Sequence, residues 1–146
     1  MAGKRVRSGA ALSAALIDIG KKFEKEDLDP ILQKLSLDGF RYLVRRTPIR
    51  TGFLASKWAV AINASINQQL YKNPGGSYSP AQPPSITRSI EWGDKVTLYN
   101  NTEYAYFVDT GTGKNRTAQP MIEPTYIYLE NVARRLVDAK NRKRIE

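Results

Sequence analysis

The chain has no cysteine and no histidine. Without cysteine there are no disulfides, thiolate metal ligands or thiol nucleophiles. Without histidine the commonest general base and metal ligand near neutral pH is missing. Long apolar runs are absent too: nothing approaches the roughly 18 consecutive residues that span a bilayer, and residues 1–7 lead into no signal-peptide core. These absences predict a soluble, cytosolic protein that is not an enzyme, has no cofactor or metal, and does not enter a membrane.

Acidic residues are scarce beside basic ones, 14 against 23, for a formal charge of +9. The excess sits at the two ends. Residues 1–7 hold Lys4, Arg5 and Arg7 with no acid, and residues 134–146 hold six bases, among them Arg142, Lys143 and Arg144, against two acids. Basic ends can neutralise nucleic-acid phosphates or dock on acidic neighbours in an assembly. We expect these six residues to touch adjacent proteins first, with DNA as the weaker alternative. The 146 residues, 41% hydrophobic and 25% charged, suit one globular domain. We place it at 10–137, between a flexible basic arm at 1–9 and a basic tail at 138–146.

The apolar pattern changes period along the chain. Leu12, Ala15, Leu16, Ile19 and Phe23 recur at helical steps. Asp29 before Pro30 reads as an N-cap with a first-turn proline, opening a second helix that carries Ile31, Leu32, Leu35, Phe40, Leu43 and Val44 to about Arg46. Thr47-Pro48 and Gly52 then turn the chain. Trp58, Val60 and Ile62 alternate as in a half-buried strand over 57–63. Residues 67–85 hold four prolines and the pair Gly75-Gly76, which excludes a helix or a central strand. A connection this long is expected to be a loop that orders against a partner. Strands are expected at 87–92, at 96–100 after a turn at Gly93-Asp94, and at 104–108. A last helix, entered between Pro120 and Pro124, carries Leu129, Val132, Ala133, Leu136 and Val137 on one side and frays into the tail. The predicted fold is α+β: N-terminal helices, an antiparallel sheet of three to four strands with the long Pro/Gly-rich loop, and a C-terminal helix packed on the sheet.

Three constellations invite a chemical reading. Glu24, Glu26, Asp27 and Asp29 form one charged stretch, which reads as solvated charge plus a helix cap rather than an acid–base pair. The segment Asp109-Thr110-Gly111-Thr112-Gly113-Lys114 has a phosphate-loop composition, but its lysine is followed by Asn115-Arg116 and more loop, not by a hydroxyl residue opening a helix. Tyr99, Tyr104, Tyr106 and Phe107 near Lys95 could stack bases on a sheet, yet tyrosines also fill half-buried sheets and protein interfaces.

Three segments together resemble the small tail-completion and neck proteins of long-tailed bacteriophages. The first is Pro48-Ile49-Arg50-Thr51-Gly52-Phe53-Leu54, with Arg50 where the family usually has an acid. The second is Tyr104-Ala105-Tyr106-Phe107-Val108-Asp109-Thr110-Gly111-Thr112, with Asp109 in place of the more frequent Glu. The third is Ala118-Gln119-Pro120-Met121-Ile122-Glu123-Pro124. The resemblance runs from about Leu28 to Val137 and omits the arm, the first helix and 67–85. It implies a virion component that closes the neck or finishes the tail, as a tail-completion, tail-terminator or head–tail joining protein. Such a protein forms a homo-oligomeric ring, hexameric or dodecameric, assembled in the host cytoplasm, against tail-tube or connector proteins and around a DNA channel. On that reading Tyr78, Pro83, Tyr104, Tyr106, Phe107 and Arg116 are the expected interface residues, and Gly52 and Gly111 the turns beside it. The alternative is a nucleic-acid-binding module built on the basic ends and aromatic strands.

Overall fold

The computed structural model describes residues 2–49, 52–66, 69–111 and 117–145, with backbone alone over 2–8 and 143–145. The fold is α+β, and the described residues form five helices and one two-stranded antiparallel sheet. In chain order these are α1 (Ala2–Lys22), α2 (Lys25–Arg46), α3 (Phe53–Ser56), β1 (Trp58–Ile62), a 3₁₀ turn (Ser85–Ser89), β2 (Val96–Asn100), α4 (Ala105–Thr110) and α5 (Ile122–Ile145).

The long helices form the frame. Lys22 Nζ donates to Asn141 Oδ1 at 3.0 Å, and Lys140 Nζ stands 5.4 Å from the centre of the Phe23 ring, so α1 and α5 end together and run parallel. The second helix runs the other way: Tyr42 stacks on Tyr128 with ring centres 4.4 Å apart, and Arg46 Nη2 reaches the Pro120 carbonyl at 3.4 Å. Ala15 and Ile19 of α1, Leu28, Ile31 and Leu35 of α2, and Ala133 and Val137 of α5 make the bundle core. A second core lies toward the α2 C-terminus, where Phe40, Leu43 and Val44 meet Leu54, Ala55, Trp58 and Met121.

The helical backbone runs back to Ala2 and on to Ile145, through both stretches expected as arm and tail. The second helix begins at Lys25, five residues before Pro30, with Glu24 rather than Asp29 as its N-cap. Burial of Leu28 in the bundle core favours helix there, and it outweighs the one backbone bond that Pro30 cannot make. Asp29 instead accepts the Trp92 backbone N–H at 2.7 Å.

The sheet is smaller than expected. Strands β1 and β2 pair in the register Trp58–Asn100 through Ile62–Val96, with no third strand among the described residues. Residues 87–92 hold no strand: 87–89 complete the 3₁₀ turn and 90–92 lead into a turn, because Thr87 Oγ1 donates to the Pro84 carbonyl and Ser89 Oγ to that of Ile86, giving local partners that compete with a ladder. Residues 104–108 also form no strand but enter α4. Its spacing puts Tyr104, Ala105 and Val108 against the second core and Tyr106 and Phe107 outward, and Gly111 (φ 71°) closes it. Nor does the C-terminal helix lie on the sheet. It packs mainly on α1 and α2, and meets the sheet region where Leu129 and Leu98 both close on Gly39.

At the far end of the hairpin, Asn63 (φ 56°) donates its amide to Asp94 Oδ1 at 2.8 Å, and the Glu91 N–H donates to Asp94 Oδ2 at 2.8 Å. The Glu91 bond first, then the Asn63 bond, holds the Asp94 carboxyl below the usual carboxylate range.

Phe40 has no exposed surface and belongs to the core that ties α2 to α3 and β1. Phe40→Ala is expected to cost about 3–5 kcal/mol of unfolding free energy, read as a lower urea midpoint. A loss below about 1 kcal/mol would contradict this packing.

Candidate functional site

The first of the three segments singled out by pattern, at 48–54, meets the neighbouring pair at 104–111 and 118–124 in the second core, where Leu54 packs with Tyr104, Ala105, Val108, Met121 and Ile122. The first component is the turn into α3. Gly52 has φ 83°, a left-handed conformation that glycine adopts without strain. A Cβ placed there would overlap the carbonyl oxygen of Tyr78. The long loop therefore packs its backbone directly on Gly52. Two further contacts hold it: the Tyr78 ring lies edge-to-face on buried Phe53 with centres 5.1 Å apart, and Ala81 N–H donates to the Ala55 carbonyl at 3.0 Å.

The start of the loop is fastened as well. Tyr71 N–H donates to the Asn101 carbonyl at 2.8 Å, and Glu103 N–H donates back to Tyr71 at 3.0 Å, a parallel bridge beyond the end of β2. Lys57 Nζ stands 5.3 Å from the Phe53 ring centre and 5.4 Å from that of Tyr71, joining the two loop attachments by cation–π contact. Beneath them Trp58 Nε1 donates to buried Thr47 Oγ1 at 2.7 Å, and that hydroxyl donates to the Leu43 carbonyl at 2.6 Å.

The second and third segments are joined by Asp109. Its Oδ1 accepts the N–H groups of Met121 at 2.8 Å and Ile122 at 3.0 Å, satisfying free donors at the start of α5. Gln119 N–H donates to the Val108 carbonyl at 2.9 Å. The backbone of Ala118 comes so near Gly111 that a Cβ there would lie 2.6 Å from the Ala118 nitrogen. Gly52, Asp109 and Gly111 are thus where the chain crosses itself closely.

Of the expected interface residues, Tyr106 and Phe107 stand outward, 61% and 43% exposed, with their rings edge-to-face at 5.8 Å. Tyr78, Pro83 and Tyr104 are half-buried, and the first packs on Phe53. Burial raises the Tyr104 phenol above its ordinary pKa against a lowering hydrogen bond with Asn73, and the Glu103 charge adds to the rise. Arg116 lies outside the described residues, as do the side chains of Lys4, Arg5, Arg7, Lys143 and Arg144; Arg142 is exposed. Sequence reasoning missed Ile49, Leu70 and Tyr71, exposed by 69%, 63% and 41%. Ile49 sits inside the first motif, and the other two interrupt a polar stretch of the loop, a signal available from the sequence.

Asp109 and Asp94 are both committed to backbone donors, and Glu91 is exposed. No group of three or more acidic residues that could hold a metal occurs among the described residues. A cavity of about 390 Å³ lies between α1, α2, β2 and α5, with leucines making up half of its lining. The two basic ends are far apart. The parallel course of α1 and α5 sets the start of one and the end of the other at opposite ends of a bundle about 30 Å long, at roughly 1.5 Å per helical residue. Compared with protein-family models, curated proteins and solved structures, the chain matches none.

Gly52→Ala is expected to detach the loop: limited proteolysis should cut between 73 and 80 much faster than in the parent, with stability lower by about 1–3 kcal/mol from left-handed strain alone. Gly75 provides the control, being also at positive φ but in open space, where an added Cβ would meet nothing within 4 Å. Equal cleavage of Gly52→Ala and Gly75→Ala would refute the clamp.

Proposed function

We propose that this protein is a structural subunit of the neck or tail end of a long-tailed bacteriophage virion, acting as one copy in a homo-oligomeric ring and not as an enzyme. The observation that carries the reading is the meeting of the three phage-like segments in one joint. Gly52 and Phe53 hold the long loop, Asp109 fastens 104–111 to the start of the last helix, and Leu54 packs with Val108 and Met121 in one core.

Beside the joint stand several exposed apolar side chains. Exposed Tyr106 and Phe107 are of the type that anchors protein interfaces, and Ile49, Leu70 and Tyr71 belong to segments of the same joint. These side chains are the proposed contacts to a neighbouring copy or to tail-tube and connector proteins. Against the nucleic-acid alternative, Tyr106 and Phe107 stand on a short helix rather than a strand, and the start of α1 and the end of α5 lie at opposite ends of the bundle. Opposite basic ends suit a subunit that meets acidic neighbours above and below the plane of a ring, with genomic DNA in the channel as the weaker contact.

The mass of the purified protein by light scattering, at low and high salt and with added duplex DNA, tests this. Six or twelve times 16.4 kDa, unchanged by DNA, is the expected result. A monomer at every concentration, or a DNA complex that salt dissolves steeply, would overturn the ring reading.

A further inference from the structure

Among the described residues, the two-stranded sheet has two open edges. Asn63 N–H donates to the Lys95 carbonyl at 2.9 Å, and antiparallel pairing alternates between bonded and non-bonded pairs. The bonded pairs are therefore Ala61–Thr97 and Ala59–Tyr99. Backbone groups of Val96, Leu98 and Asn100 point away from β1, and those of Trp58, Val60 and Ile62 point away from β2. Tyr71 agrees with this parity, since it bonds to Asn101 and Glu103 on the inner side. No further strand takes up either outer edge among the described residues.

Monomeric proteins blunt such edges with charged residues, prolines or bulges. Neither β1, Trp-Ala-Val-Ala-Ile, nor β2, Val-Thr-Leu-Tyr-Asn, carries a charge or a proline, and two strands alone are marginal. Alongside β2 runs the 390 Å³ groove, lined by Leu12, Leu16, Leu35, Leu98, Tyr126 and Leu129. A strand laid on β2 gains backbone hydrogen bonds on one side and an apolar floor beneath, the two requirements of strand addition.

We infer that the strand added to β2 is β1 of a second copy, so that the sheet passes from subunit to subunit. This rests on the ring reading and names its interface. Both strands are five residues long, and joining β2 to the next β1 consumes both edges in a head-to-tail contact that can close. Charge agrees. Antiparallel pairing in the register of the hairpin brings exposed Lys95 to the neighbour's Asn63–Asp94 turn, and the neighbour's Lys57 toward Asn101 and Glu103. Val60, half-buried against the second core, and Ile62 lie on the same face of the sheet as Leu98, which lines the groove.

Because the chain has no cysteine, single introduced cysteines report the contact cleanly. Thr97→Cys is mixed, after dissociation and reassembly, with Ala59→Cys or with Ala61→Cys, and oxidised; adjacent strands hold such residues within disulfide reach. Linked pairs of chains are expected in at least one mixture and in no variant alone. They should vanish on adding Val96→Pro, which removes an outward N–H at the first strand position, with the helical circular-dichroism signal retained. Linkage within Thr97→Cys alone would mean that β2 meets β2 and would overturn the inference. So would the absence of linkage in samples whose mass is that of a ring, a result that leaves the ring reading standing. A monomeric mass would remove both.

Discussion

The structure depends on one close approach, the Tyr78 backbone lying on Gly52. A side chain at that position would hold the loop off. With the loop seated, Tyr78 covers Phe53, Ala81 bonds to α3, and Tyr71 pairs beyond β2. A proline-rich stretch that would otherwise cost conformational entropy with little return is thereby fixed at several points. The arrangement holds the second core together at the end of α2.

Asp109 does the same for the other half of the joint. A carboxylate accepting two N–H groups at the start of α5 orients a helix that spans the whole bundle, so a short turn at 104–111 sets the course of the longest element. The close crossings at Gly52 and Gly111 explain why glycine stands in both motifs, a physical reason that holds with or without the phage resemblance.

Much of the frame was legible. Ala15, Ile19, Ile31, Leu35, Phe40 and Leu43 are buried as their helical spacing implies, with Leu12 and Leu16 half-buried beside them, and strands form at β1 and 96–100. The failures have a common cause. Residues 87–92 and 104–108 are too short for periodicity to separate a strand from one or two helical turns, and local hydroxyl bonds and the Gly111 cap decided for the turns. Asp29-Pro30 has the local form of a helix start, yet burial of Leu28 carried the helix past it. Of the site, Tyr106 and Phe107 were read as outward contacts on the wrong element, whereas the roles of Gly52 and Asp109 needed the tertiary crossings.

The central claim is that copies of this subunit close around an axis. Negative-stain electron microscopy of the purified protein tests it most directly. Class averages showing closed rings of six or twelve subunits with an open centre are the predicted result; uniformly isolated particles of single-chain size, or rods coating added DNA, would contradict it.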